Sequence, residues 1–147
     1  MRINSRRKGI SGEREIIDTL QPVVTELYEV FGREAPRLQR NTLQSDVGGC
    51  DIVGLEWLSM EVKFYAQLLP AAIEGWWRQT VEQAGPKLPI LFYKKNRGPW
   101  HVRMEGVLVC CGLRGSVSAV VTVDMTTFVQ WFRNRLWWEL GDKQHGL

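Results

Sequence analysis

Histidine and paired cysteine are what this chain of 147 residues has least of. His101 and His145 are too few and too far apart to build a zinc site or a histidine-based catalytic pair. The cysteines, Cys50 and the adjacent Cys110 and Cys111, are odd in number and lack the spacing of a zinc ribbon or a disulfide framework. They are expected to be reduced and mostly buried. No run approaches the roughly 20 apolar residues that a membrane span needs. The opening, Met1 to Gly9, is basic but leads into a charged amphipathic stretch rather than the apolar core of a secretory leader. A cytoplasmic protein is expected, and neither internal repeats nor low-complexity segments suggest a solenoid or a linker.

A strong charge of one sign is also missing, since the formal net charge is only +3. The positive residues are clustered nonetheless, at Arg2, Arg6, Arg7 and Lys8, at Arg33, Arg37 and Arg40, and at Lys94, Lys95 and Arg97. Such patches suit a phosphate backbone, although a solvated basic face has the same composition. With 44% hydrophobic residues the chain can bury one real core and is too short for two ordinary domains. A single domain over 1–147 is expected.

Ile16, Ile17, Leu20, Val24, Leu27 and Phe31 fall on one helical stripe, with Ser11 as N-cap, Gly32 as stop and a kink or restart at Pro22. A strand is expected around Arg37 to Asn41, then a polar loop from Gln44 to Cys50. Two β-rich runs follow, from Asp51 to Leu55 and from Leu58 to Tyr65. Only Glu56 and Trp57 separate them, which makes an antiparallel hairpin the economical arrangement. Pro70 to Ala84 reads as a helix closed by Gly85-Pro86. Strands are expected at Leu88–Tyr93 and Trp100–Met104 around the turn Asn96-Arg97-Gly98-Pro99, and a hairpin at Gly106–Cys111 and Val117–Val123 around Arg114 and Gly115. A last helix opens near Thr126 or Thr127 and presents Phe128, Trp131, Phe132, Arg135 and Leu136. This order predicts an α/β fold with a central mixed β-sheet flanked by helices.

Chemistry concentrates on Glu61-Val62-Lys63. Strand side chains alternate, so Glu61 and Lys63 share one face and Val62 takes the other. A hairpin turning about Glu56 and Trp57 sets Asp51 opposite Glu61 or Val62, with the carboxylates roughly 5 Å apart at their Cβ atoms. Carboxylates that close repel unless a cation lies between them, and hard oxygen ligands suit Mg²⁺, with Mn²⁺ able to substitute. Such an ion would polarise a phosphodiester and activate water, with Lys63 orienting or deprotonating the nucleophile. A Glu-Val-Lys triplet alone is usually a solvated strand face; the preceding aspartate is what raises it above that.

Asp51-Ile52-Val53 followed by Glu61-Val62-Lys63 resembles the signature of PD-(D/E)XK nucleases, with Cys50 where a proline is often found. Arg7-Lys8-Gly9 followed by Glu13-Arg14-Glu15 is similar to the opening of archaeal-type Holliday junction resolvases, which have phage-encoded relatives. The resemblance covers roughly the first two-thirds of the chain. It implies a restriction-endonuclease-like core at about 5–104, with a C-terminal hairpin and helix extension at about 105–147. It also implies Glu13 as a third metal-site residue beside Asp51 and Glu61, and Gln79 near the water or scissile phosphate. A hydroxyl residue in the loop before the aspartate is implied too, for which Ser45 and Thr42 are both candidates. Arg6, Arg7, Lys8, Arg37 and Arg40 are the candidate phosphate contacts, giving affinity without base specificity.

The activity expected is Mg²⁺-dependent hydrolysis of DNA at four-way junctions. Another structure-specific nuclease or nickase of the same fold, and an inactive nucleic-acid-binding protein, are the alternatives. A homodimer follows from the need to cut a junction at two symmetric positions. Trp76, Trp77, Trp131, Trp137 and Trp138 lie on helices at spacings that suit core or subunit interface better than base stacking.

Overall fold

The computed structural model describes residues 2–42, 49–109 and 115–145. Helix α1 (Arg2–Val30) is followed by strands β1 (Gln39–Arg40), β2 (Ile52–Val53) and β3 (Leu58–Tyr65). Helix α2 (Pro70–Ala84), strands β4 (Leu88–Lys95), β5 (His101–Val109) and β6 (Ser116–Asp124), helix α3 (Met125–Leu140) and a 3₁₀ turn (Asp142–His145) complete it. The six strands form one sheet in chain order. All neighbours are antiparallel except β3 and β4, which α2 joins as a parallel crossover. A mixed sheet flanked by three helices is the α/β architecture of a restriction-endonuclease-like core.

The apolar stripe of α1 is buried through Ile16, Leu20, Val24 and Leu27, with Ile17 and Phe31 packed at its margin. The helix differs from the sequence expectation at both Ser11 and Pro22. It starts nine residues earlier, running through the basic segment, so Ser11 is an interior residue. At Gly12 the helix packs closely on the sheet side, where a Cβ would lie 3.2 Å from Trp100 and 3.3 Å from Val62 and would push those side chains back slightly. Pro22 causes no break. It and Asp18, whose carbonyl lost its donor, are both exposed, so water can satisfy that carbonyl while Val23 and Val24 stay buried. At the far end Gly32, at φ 66°, donates to the Glu29 carbonyl and Arg33 to that of Tyr28, the paired bonds of a Schellman stop.

Helices α1 and α3 cover one face of the sheet, where Leu58, Met60, Val62, Phe92, Val102 and Met104 meet Phe128, Phe132 and Leu136. Helix α2 lies on the opposite face with a smaller cluster of Trp77, Leu91 and Tyr93. β4 is central and buried on both faces from Pro89 to Tyr93. Two further boundaries differ from expectation. β5 runs unbroken through Glu105, because nine successive pairs with β6 hold it as one strand. α3 begins at Met125, where the Asp124 carboxylate accepts the Thr127 backbone N–H at 2.7 Å as N-cap. Among the described residues no helix is long and apolar enough to cross a membrane.

Candidate active site

The hairpin of β2 and β3 builds the centre of the site. Leu58 donates to the Leu55 carbonyl, closing the turn on Glu56 and Trp57, and Ile52 pairs with Met60. One step along that ladder Asp51 faces Glu61. This resolves the one-residue ambiguity left by the sequence. Asp51 is fixed by its backbone, which donates to Met60 and accepts from Asn41, and its Oδ2 accepts the Val62 N–H at 2.7 Å. Gly54, at φ 137°, ends β2 where a Cβ would lie 2.9 Å from Leu38 and 3.0 Å from the Arg37 carbonyl. Only glycine lets β1 and the turn meet there.

On the α2 face of β3, Lys63 Nζ lies 2.9 Å from Glu61 Oε1. Glu61 Oε2 is buried and, among the described residues, has no hydrogen-bond partner. Burial first, and then repulsion from Asp51, push the Glu61 carboxyl up to about 7 against the opposing pull of Lys63. Lys63 is shifted the other way from a typical buried lysine. Burial draws its value down, but Glu61 and Asp51 outweigh that and hold it above the ordinary lysine range. Lys63 is therefore a firmly held ammonium, suited to orienting and neutralising rather than to removing a proton at neutral pH.

Glu13 approaches from α1. Its carboxylate pairs with Arg40 of β1, and its pKa is raised by burial, lowered by that bond and raised again by Asp51, with a net rise. Glu13 thus senses the Asp51 charge while Arg40 holds it. Among the described residues no three histidine, cysteine, aspartate or glutamate side chains converge as a metal cage. The residues that fit a hard cation are Asp51 and Glu61, whose mutual repulsion and stranded Oε2 a divalent ion would relieve.

Arg6, Gly9, Ile10, Glu13, Arg40, Asn41 and Thr42 line a groove of about 490 Å³ beside this centre. Arg6 and Arg40 are thereby brought to the site, and so is Thr42; Ser45 lies outside the described residues. Arg7 lines a different groove of about 370 Å³ with Arg14, Glu15 and Asp18. Lys8 sits five residues before Glu13, roughly 140° around the helix from it. Arg37 is exposed on the segment entering β1. Gln79 is exposed on α2, next to Thr80, while Trp77, Thr80 and Ala84 are the residues this helix buries.

One contact that helps aim α1 has no signal in the local sequence pattern. Glu15 accepts from Trp100 Nε1 at 2.9 Å and pairs with Lys94 at 3.1 Å, whose ammonium lies over the rings of Phe64 and Trp100. With the buried stripe of Ile16, Leu20, Val24 and Leu27, this contact helps set the rotation of the helix and so the direction of Glu13, two residues before Glu15. The tryptophans are largely engaged within the chain. Trp77 is buried, Trp76 stacks on Tyr65, Trp57 on Phe132, and Trp137 meets Phe31 edge-on.

A family model described as "Phage putative PDDEXK endonuclease" matches residues 4–128. The chain belongs to this phage PDDEXK endonuclease family. The matched span carries Glu13, Asp51, Glu61, Lys63 and Gln79, so all the candidate catalytic residues of this endonuclease lie inside it. No curated protein and no solved structure matches the chain.

Proposed function

We propose that this endonuclease hydrolyses phosphodiester bonds of branched DNA, four-way junctions above all, with Mg²⁺ held between Asp51 and Glu61. The observation that carries this reading is the buried Oε2 of Glu61, without a hydrogen-bond partner beside Asp51 and two strand positions from Lys63. A divalent ion bound there, for which Mn²⁺ can stand in, supplies Lewis acidity and a lowered pKa for water. The protein does the rest. Asp51 is held because three of its backbone and side-chain atoms are committed to Asn41, just after β1, and to Met60 and Val62 of β3. Lys63 keeps its proton, so its ammonium orients the attacking water and offsets charge gathering on the non-bridging oxygens. Water gives up a proton to bulk solvent as it forms the new P–O bond, the bond to the leaving sugar oxygen breaks, and that oxygen takes up a proton from solvent.

Glu13 completes the acidic side of the site when a DNA phosphate takes over its partner Arg40, and Gln79, exposed on α2, is the residue that the family resemblance assigns to the water or the scissile phosphate. Arg6 and Arg40 hold phosphates beside the cut, and Arg7, Lys8 and Arg37 extend the contact along the backbone. Ser45 or Thr42 supplies a hydroxyl near the scissile phosphate, and the groove position of Thr42 favours it. The resemblance of the α1 motif to junction resolvases supports the substrate, and a host-cell cytoplasm is the setting that a phage family suggests.

The test is cleavage of a synthetic four-way junction and a matched linear duplex in Mg²⁺ by the native chain, Asp51→Asn and Lys63→Ala. Paired symmetric nicks confined to the junction and lost in both variants support a resolvase. Cutting of both DNAs makes it a general or other structure-specific nuclease; binding without cutting makes it an inactive DNA-binding protein.

A further inference from the structure

Beyond Met104 and Val121 the β5–β6 ribbon leaves the body of the protein, and its apolar residues have no cover. On the α2 side Val107, Val109 and Val120 are 62%, 71% and 49% exposed; on the other side Leu108 and Val117 are 57% and 65% exposed. Both faces of one ribbon are thus apolar and open. Among the described residues β6 is also the last strand of the sheet, so one row of its backbone N–H and C=O groups has no neighbouring strand. Edge strands of this length normally carry lysine, proline or a bulge against unwanted pairing. Ser116-Val117-Ser118-Ala119-Val120-Val121-Thr122-Val123 carries none of these, and the strand's one charge is Asp124 at its end.

We propose that β6 is the dimer interface of this endonuclease, pairing antiparallel with β6 of a second copy about a two-fold axis through Val120. The strand is its own complement in that register. Val120 meets Val120, Ala119 meets Val121, Ser118 meets Thr122 and Val117 meets Val123 of the other copy, so each side chain faces one of matching polarity and similar size. The two six-stranded sheets become one continuous sheet, and the free backbone row is satisfied. Val117 and Val120, 65% and 49% exposed, lie on β6 itself and so at this seam, where their methyl groups pack against the same residues' neighbours on the other copy. The sequence had suggested tryptophans of the second and last helices for this role. Of these, Trp77 is buried and Trp76 stacks on Tyr65, while Trp137 and Trp138 stay 46% and 36% exposed on α3, away from any unpaired strand edge.

The proposal is independent of the chemistry at Asp51 and Glu61, because its readout is mass. By light scattering the native chain is expected at twice the 16.9 kDa of one copy at micromolar concentration. Val120→Lys places two ammonium groups opposite each other on the axis and should yield a monomer with unchanged circular dichroism. With Cys110 and Cys111 replaced by serine, Val120→Cys should form a disulfide-linked dimer on mild oxidation, because its two copies meet at the axis. Thr122→Cys in the same background should not, because its partner is Ser118. A native monomer overturns the proposal. So does a dimer that survives Val120→Lys, or one in which Thr122→Cys cross-links as readily as Val120→Cys.

Discussion

Replacing Glu61 with glutamine should make the metal-free protein more stable at pH 8 and leave it little changed at pH 5. The Glu61 carboxyl is pushed from 4.5 to about 7 by burial and by Asp51. Between those values the unfolded chain has released the proton and the folded chain still holds it, so stability falls as pH rises. Above about 7 the folded carboxyl ionises as well and the loss levels off. A shift of this size corresponds to about 3 kcal/mol between the two limits. Glutamine has nearly the same shape and never ionises, so this part of the pH dependence disappears. Urea unfolding of both proteins in chelator, from pH 4 to pH 8, should therefore give curves that diverge across pH 5–7. Magnesium should close the gap from the native side, since an ion shared by Asp51 and Glu61 favours the ionised carboxylate and stabilises in proportion to its occupancy. Parallel curves would refute the reasoning, because Glu61 would then be no more burdened in the fold than in the open chain.

Gly54→Ala should lower stability by about 2 kcal/mol in urea, since the new methyl meets Leu38 and the Arg37 carbonyl at a backbone angle that alanine rarely adopts. Lys63→Ala should reduce kcat by about a hundredfold or more in single-turnover cleavage, and Lys63→Arg should not restore it, because the bulkier guanidinium cannot take the 2.9 Å seat against Glu61. Arg40→Ala should weaken DNA binding about equally for all sequences and lower the salt slope by about one in fluorescence anisotropy, as loss of one phosphate contact requires.

Features set by near neighbours were legible in the sequence. The two-residue alternation put Glu61 and Lys63 on one face, the short gap at Glu56 and Trp57 forced the hairpin, and Gly32 marked the helix stop. Helix starts were less legible, because a capping residue is only one contribution among several. Ser11 fits a cap, yet the turns before it stay helical, and Gly12 lets α1 settle against Trp100 and Val62. Pro22 misled for a related reason: its missing bond falls on the wet side of the helix, where it costs little. Least legible was how α1 is aimed at the site. Glu13 and Arg40 meet across 27 residues, and the rotation that allows it depends on Glu15, Lys94 and Trp100, up to 85 residues apart. No local pattern encodes a contact of that range. Such contacts nonetheless decide whether the third carboxylate reaches the other two, since a helix turned by one residue would carry Glu13 about 100° away from Asp51 and leave the site with two acids.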